Sequence, residues 1–387
     1  MKEFDCDLHF HSYYAGGVSK NMTMAVFAQQ VPMKGLQVLV TADITHKDWF
    51  QQMKSNLVEE ENGVYKHKTA DLNFIVGTEV CCNKRVHHLI YFPSLESALE
   101  LKEKFKGHAI MDSYGTGRPL IRKEPEWIAE QVEKVGGMIG PAHAFTPHFG
   151  LYGHFKNLKE VYGGMTDKVK FLELGLSADT YLADLIEENH KLVFLSNSDS
   201  HGPWPHRIGR EFNRIKMQKP SFKELQKALE MKGGREITLN VGLDPREGKY
   251  HCSACASCFT KYSHKDSMKL SWRCAKPDCK GLIAKGVRDR ILELANFKEE
   301  THPEFRPEYM HSMPLAEIIQ VTYNLKSPTS KKVQQTWTEF IHAFKSEINV
   351  LIDAPVNELE KVNAEVAKKI EAFRKGYVLY VPGGGGN

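Results

Sequence analysis

At 387 residues the chain is too long for one ordinary domain, so two or three domains around a sizeable core are expected. Its 41% hydrophobic and 26% charged residues suit a globular protein in water, and no apolar run approaches the ~18 residues of a membrane-spanning helix. The formal net charge of +4 conceals an asymmetry: Lys249 to Arg290 holds ten Lys and Arg against three Asp, which points to an anionic partner on that region.

The opening Met1-Lys2-Glu3-Phe4-Asp5 lacks the basic-then-apolar order of a signal peptide, so a cytoplasmic location with no membrane partner is expected. The next stretch, Asp7-Leu8-His9-Phe10-His11, is a D-x-H-x-H. In an extended segment side chains alternate between faces, so Asp7, His9 and His11 project together, a half-site for metal. Short apolar runs bounded by turn residues follow and read as strands: Leu36 to Thr41, Asn73 to Val80, His87 to Phe92, Met138 to His143, Phe171 to Leu176 and Lys191 to Ser196. Helical spacing recurs between them. Pro125 to Val135 opens on proline and closes on Gly136-Gly137, and Ser221 to Leu229 repeats the pattern. Such alternation over residues 1 to 245 predicts a parallel sheet curled into a β/α barrel.

In a barrel of that kind the working residues sit at the C-terminal ends of strands. Asp43 and His46 follow Leu36 to Thr41, Glu79 ends the next run, His143 follows Met138 to Ala142, and Asp199 and His201 follow Lys191 to Ser196. Thirteen of the eighteen histidines precede residue 207, which concentrates ligand chemistry in this part. Gathered without a partner, so many acids and imidazoles would repel and desolvate one another; divalent ions would satisfy them together. In His87-His88 only one ring can face inward, and His87 is taken as the ligand. His67, His108, His148, His154 and His190 read as surface residues.

Asp7-Leu8-His9-Phe10-His11-Ser12, Thr41-Ala42-Asp43, Gly77-Thr78-Glu79, Val86-His87-His88-Leu89, Ala142-His143 and Asn197-Ser198-Asp199-Ser200-His201 resemble the successive motifs of the PHP (polymerase and histidinol phosphatase) superfamily. The resemblance implies a distorted barrel of about seven β/α units holding two or three divalent ions, Zn, Mn or Mg, for phosphoester hydrolysis. The expected metal ligands are His9, His11, Asp43, His46, Glu79, His87, His143, Asp199 and His201, with Asp43 and His46 as alternatives because the usual T-D-H is spread over Thr41 to His46. Asp199 is the expected catalytic residue, Asp7 an orienting one, and Lys20, Arg207 and Arg210 are candidates for holding phosphate.

Past Leu243-Asp244-Pro245 the composition changes. Five cysteines crowd into Cys252 to Cys279 at metal spacings, and we expect a zinc-binding ribbon over 246–287 rather than disulfides. Metal supplies the folding energy that so short a segment lacks. The C-x-x-C of Cys252 and Cys255 pairs with Cys274 and Cys279 as the expected structural zinc ligands, in preference to Cys255 and Cys258, leaving Cys258 spare. Tyr250, Phe259, Tyr262 and Trp272 interleave with the lysines there, a pattern that suits nucleic acid or a ribbon's own small core.

The remainder, 288–387, reads as an α-helical domain contacting DNA. Val333, Trp337, Phe340, Ile341, Phe344, Ile348 and Leu351 form one apolar stripe, and Leu359, Val362, Val366, Ile370 and Phe373 a second. Tyr377 to Val381 reads as a strand, and Gly383 to Gly386 as a flexible tail. The barrel motifs followed by Y-x-C-S-x-C, W-R-C, G-V-R-D-R-I and a closing P-G-G-G-G resemble, over nearly the whole chain, the endonuclease Q family of DNA-repair nucleases in its bacillus-type form. That resemblance implies nicking of DNA on the 5′ side of deaminated bases (uracil, hypoxanthine, xanthine) and abasic sites, with the lesion flipped out, and other repair or replication proteins as partners. The competing expectations are a phosphatase of small phosphomonoesters and a non-catalytic DNA-binding module.

Overall fold

The structure, a computed structural model, describes residues 1–60 and 63–386. The strands are β1 Lys2–Asp7, β2 Val38–Val40, β3 Leu57–Glu60, β4 Val64–His67, β5 Asn73–Ile75, β6 Gly77–Cys81, β7 His87–Tyr91, β8 Met138–Pro141, β9 Phe171–Glu173 and β10 Val193–Leu195. They continue with β11 Phe212–Met217, β12 Glu236–Gly242, β13 Ala254–Cys255, β14 Ile283–Ala284 and β15 Glu308–His311. Eight strands form one mixed sheet in the order β15-β12-β11-β1-β2-β5-β4-β3, while β6-β7-β8, β9-β10 and β13-β14 pair separately.

One continuous parallel sheet is therefore not what forms. β1, β2 and β5 run parallel, as do β9 and β10, but β6, β7 and β8 are antiparallel; between β6 and β7 the short turn around Arg85 (φ +60°) leaves no length for the crossover a parallel pair needs. The run expected from Asn73 to Val80 divides at Val76. Gly77 lies so close to Val40, Tyr91 and the carbonyl of Ile90 that an added Cβ would come within 2.9 Å of each, and there the chain crosses from one sheet to the next. Single backbone bonds then link strand end to strand end: Ala142 N to the His87 carbonyl (3.0 Å), Ala144 N to Glu173 (2.8 Å), Leu174 N to Leu195 (2.9 Å) and His11 N to Ser200 (3.0 Å).

The main core is aromatic at its centre, with Trp49, Phe74, Tyr91 and Phe171 fully buried. Val287, Ile291 and Tyr309 belong to it, and β15 pairs with β12, so residues 288–311 are built onto the first region. The helical core begins at Leu315, not at residue 288; Ile319, Trp337, Phe340, Leu359, Val366 and Ile370 fill it. The first apolar stripe is also interrupted. Its helix, Lys331–Phe344, ends at Lys345 (φ +73°), and a π-type turn spans Asn349–Asp353, because Ser346 and Ile348 turn aside to pack against Gly35. Tyr377 to Val381, expected as a strand, forms none among the described residues. The glycine run is no loose tail: Gly383 N donates to the Arg246 carbonyl (2.8 Å), Cys252 N to Gly383 (3.0 Å) and Gly386 N to Lys249 (2.9 Å). A side chain at Gly383 would meet the Gly248 carbonyl at 2.5 Å, so glycine permits the docking. His67, expected at the surface, is buried.

The two cores are joined by a buried ion pair. Lys34 Nζ donates to Glu347 Oε1 (2.6 Å) and to the Pro205 carbonyl (3.0 Å), and Glu347 also accepts from Leu315 N (3.1 Å) and Trp337 Nε1 (2.7 Å). Lys34→Met strands that carboxylate without a counter-charge, and we expect a loss of ~3–5 kcal/mol in urea unfolding. Glu211 is fully buried, its Oε1 accepts from Leu243 N (2.9 Å), and burial pushes its carboxyl up to about 8 from 4.5. Between those values the folded chain holds a proton that the unfolded chain has released, so stability falls as pH rises through the window. Urea midpoints measured from about pH 5 to about pH 9 should show this decline, flattened in Glu211→Gln.

Candidate metal centre

Glu79, at the centre of the antiparallel strand β6, is buried between two sets of ligand atoms. Its Oε1 lies 2.8 Å from His87 Nδ1 and 3.1 Å from His143 Nε2; its Oε2 lies 3.1 Å from His11 Nε2 and 3.6 Å from His9 Nε2. Asp199 Oδ1 completes the second set, 3.3 Å from His11 Nε2 and 3.6 Å from His9 Nε2. Two three-residue groups result, His9 with His11 and Asp199, and Glu79 with His87 and His143, each with its ligand atoms within 4.8 Å of one another. Their positions need unusual backbone: Ala42 (φ +50°), His143 (φ +29°) and Asp199 (φ +44°) hold left-handed conformations beside the cluster, strain of the kind that collects at functional sites.

A ring of further partners aims these ligands. Asp43 Oδ1 meets His11 Nδ1 at 3.1 Å while its Oδ2 accepts from Ser12 N and Oγ (2.6 Å each), so Asp43 stands behind His11. Asp7 also faces away, accepting from Ser198 N (3.1 Å) and Gly209 N (2.9 Å), which pins the loop carrying Asp199; burial raises its carboxyl to about 6. His46 lies outside the cluster: its ring stacks on Tyr14 (4.3 Å) and Nε2 meets the Ser113 carbonyl. Of the alternatives Asp43 and His46, then, neither joins the two groups. His201 is at the edge, exposed, with Nδ1 donating to the Asp199 carbonyl (2.9 Å), whereas His88 points away onto Tyr162 (2.7 Å).

Two residues were not anticipated. Glu173 is fully buried and bonded to His9 Nδ1 (3.0 Å), His143 N (2.7 Å) and Asn197 Nδ2 (2.8 Å). It ends the run Phe171-Leu172-Glu173 much as Glu79 follows Gly77-Thr78, a signal that was available. Arg118 places Nη1 3.1 Å from Glu79 Oε2 and 3.4 Å from His11 Nε2. It comes from a loop with no motif, so only the fold reveals it.

Burial works against the charged forms throughout, and its balance with the neighbouring charges sets each outcome. For His9 and His11 burial lowers the pKa, but Glu173, Asp199, Glu79 and Asp43 outweigh it and hold both imidazoles well above their usual value. Asp199 and Glu79 are held well below the carboxylate range despite burial, Asp199 chiefly by His9 and His11, and Glu79 by His87, Arg118 and His9. His87 is lowered to about 4, mainly by burial. The donor set fits divalent cations. His9 Nε2 and Asp199 Oδ1 are buried without hydrogen-bond partners, and His87 Nδ1 and His143 Nε2 face each other at 3.1 Å toward one carboxylate oxygen. Imidazole with carboxylate suits Zn or Mn and admits Mg.

Beside Asp199 a cleft of about 280 Å³ is lined by His201, Trp204, Arg207 and Arg210. Arg210 is braced by the Ser198 carbonyl (3.0 Å to Nη2) and Arg207 is exposed; Lys20 is exposed next to Ser19 and does not line the cleft.

The second cluster is sulfur. Cys255, Cys258, Cys274 and Cys279 converge, with Cys255 Sγ to Cys279 Sγ and Cys258 Sγ to Cys274 Sγ both 3.6 Å. A ZnS4 tetrahedron with ~2.3 Å bonds has edges of about 3.8 Å, so the donors fit. Cys252 is thus not a member and Cys258 is: Cys252-x-x-Cys255 and Cys255-x-x-Cys258 overlap, and Cys252 is drawn away into the ladder with Gly384.

A family model described as the MJ0043 C-terminal domain matches residues 314–377, nearly the span of the helical core. Uncharacterized protein MJ0043 of Methanocaldococcus jannaschii is 45% identical over 63% of this chain; the match spans 30% of that relative's length. Uncharacterized protein YqxK of Bacillus subtilis is 30% identical over 100% of this chain and 98% of its own. Among solved structures, the lesion-specific endonuclease PfuEndoQ of Pyrococcus furiosus superposes with TM-score 0.94 at 44% identity, covering 100% of this chain and 94% of that one. An endonuclease Q bound to a 27-mer duplex with an abasic lesion at its active site gives TM-score 0.92 at 44% identity, with 100% and 95% covered. With likeness of that extent over its full length, the chain belongs to the endonuclease Q family.

Proposed function

We propose that this protein is a metal-dependent DNA endonuclease that nicks the strand 5′ to deaminated bases and at abasic sites. The observation that carries the proposal is Glu79, whose two oxygens each face a separate imidazole-containing ligand group, in a chain alike throughout to an enzyme crystallised with lesion-bearing duplex. His9, His11 and Asp199 would hold one divalent ion and Glu79, His87 and His143 another. When bound, such ions activate water and offset charge on the phosphate. Asp43 and Glu173 keep Nδ1 of His11 and His9 engaged, so that Nε2 of each ring is presented to the cluster. Asp199, with a side chain 28% exposed, lies where the buried ligands meet solvent and orients the incoming strand's phosphate and water. Arg118, Arg207 and Arg210 supply the cations for the phosphate.

Reach supports flipping: a phosphodiester at a recessed cluster requires the damaged nucleotide to leave the duplex. In this reading the ring of strand ends is a distorted barrel, residues 246–287 a zinc ribbon held by Cys255, Cys258, Cys274 and Cys279, and its basic face a contact for the DNA backbone. No described helix is long and apolar enough to cross a membrane.

End-labelled duplexes carrying uracil, hypoxanthine or an abasic site, incubated with divalent metal and with chelator, test the function. A metal-dependent nick at the lesion is expected; turnover of p-nitrophenyl phosphate with intact DNA would favour the phosphatase reading instead. Asp199→Asn should cost roughly a hundred-fold or more in nicking with binding largely kept, and near-normal turnover would remove Asp199 from the mechanism. Zinc analysis separates the cysteines: Cys258→Ser should lose about one equivalent of tightly held zinc, and Cys252→Ser should keep it.

A further inference from the structure

Three asparagine side chains form a buried row behind the metal centre, and the roles above use only its end. Asn213 on β11 and Asn240 on β12 are register partners, Asn197 follows β10, and all three are fully buried. The row runs head to tail: Asn240 Nδ2 donates to Asn213 Oδ1 (2.9 Å), Asn213 Nδ2 to Asn197 Oδ1 (2.9 Å), and Asn197 Nδ2 to Oε1 of Glu173, the carboxylate bonded to His9 Nδ1. Backbone groups fix its direction. Leu8 N donates to Asn197 Oδ1 (3.0 Å) and Ser196 N to Asn213 Oδ1 (2.8 Å), while Asn213 Nδ2 donates to the Ser196 carbonyl (2.8 Å), so neither amide can turn over without setting like against like.

Asn213 also stands in for a strand pairing. β10 belongs with β9 and β11 with the eight-stranded sheet. The side-chain amide of Asn213 takes both the N–H and the C=O of Ser196, the two bonds that a residue on a neighbouring antiparallel strand would make. Ser196 is the first residue past β10 and lies three before Asp199. One amide therefore reaches two members of one ligand group: Asp199 through the start of its loop, and His9 through Asn197 and Glu173. The other group is held by different contacts, since His87 Nδ1 and His143 Nε2 meet Glu79 itself and the His87 ring stacks on Phe149 (4.4 Å). Amides aligned donor-first on one carboxylate polarise one another in so dry a setting, so the row acts as a unit.

Resting on the metal-dependent endonuclease reading, we propose that Asn213 is a positioning residue for one of the two divalent ions, the one held by His9, His11 and Asp199. It acts through Ser196 and through the row to Glu173. Removing the amide frees the Asp199 loop and Glu173 together, and that ligand group loses its common aim while Glu79, His87 and His143 keep theirs. Partners standing behind a ligand in this way are worth ~10- to 100-fold in metal affinity.

The test is Mn²⁺ binding by calorimetry to the full chain, with the sulfur-bound zinc left in place, for the wild type, Asn213→Leu, Asn213→Asp and Trp337→Phe, which removes a buried hydrogen bond in the helical core. The wild type should bind two Mn²⁺, and both Asn213 variants should bind one of them ~10- to 100-fold more weakly and the other as before. Asn213→Asp is the stricter case: its added negative charge would tighten a nearby cation through space, so weaker binding there reports lost aim. Trp337→Phe should keep both ions, and Asn213→Leu placed in His87→Gln should leave no tightly held Mn²⁺. Nicking of an abasic duplex by Asn213→Leu should fall in kcat with KM for DNA unchanged, and should recover as Mn²⁺ is raised. Equal weakening of both ions, unchanged or tighter binding in the Asn213 variants, the same loss in Trp337→Phe, or failure of both Asn213 variants to fold by circular dichroism overturns the assignment. A wild type that binds Mn²⁺ but nicks no lesion duplex sinks the endonuclease reading and leaves the positioning role to the binding data; one that binds no Mn²⁺ sinks both.

Discussion

The buried carboxylate of Glu173 is the constraint on which the assembly of the site depends. A carboxylate taken out of water is destabilising unless donors surround it, and here the donors come from three separate segments: His9 past β1, the backbone of His143 past β8, and Asn197 past β10. Satisfying one oxygen pair therefore draws three chain segments to one point. Asn197 extends the chain of bonds, accepting from Leu8 N (3.0 Å) and from Asn213 Nδ2 (2.9 Å) on β11. The left-handed backbone at His143 is affordable because Glu173 holds its N–H.

Negative charge accumulates around that point. Asp7, Asp43, Glu79 and Glu173 are all buried, and imidazoles and Arg118 are the cationic neighbours of the last three. The two acids that face the ligand groups are held ionised, whereas Asp7, which accepts from the backbone N–H groups of His9, Ser198 and Gly209, has its carboxyl raised by burial. The contrast separates ligand from scaffold: a carboxylate kept charged by histidines is ready for a cation, and one kept by peptide N–H groups is ready to fix a loop. Divalent ions would complete the compensation that histidines begin.

The helical core is tied to the same region. Lys34 links Glu347 to the carbonyl of Pro205, in the loop that carries Arg207 and Arg210, and Arg214 on β11 bridges Asp5 (2.8 Å) and Asp353 (2.8 Å). Burial makes the first link sensitive to loss of either partner, whereas Asp353 is about half exposed and its pair is screened by solvent. The C-terminal glycines, docked on Lys249 and Cys252, likewise join the end of the described chain to the segment that leads into the sulfur cluster.

By itself the sequence marked most of the residues that the fold gathers into the two candidate ligand groups. His9, His11, Glu79, His87, His143 and Asp199 were legible because alternation along a strand and position at its end are local properties. The existence of a cysteine site was legible for the same reason, but its membership was not. Two C-x-x-C pairs share Cys255, and only the pairing of Cys252 with Gly384, 132 positions away, chooses between them. Tertiary structure alone decided that Asp43 aims His11 while His46 stacks on Tyr14, that Arg118 joins the site, that β6 to β8 run antiparallel, and that the helical core starts at Leu315. Each of these depends on contacts between residues far apart in the chain, and such contacts leave no period or spacing in the sequence to be read.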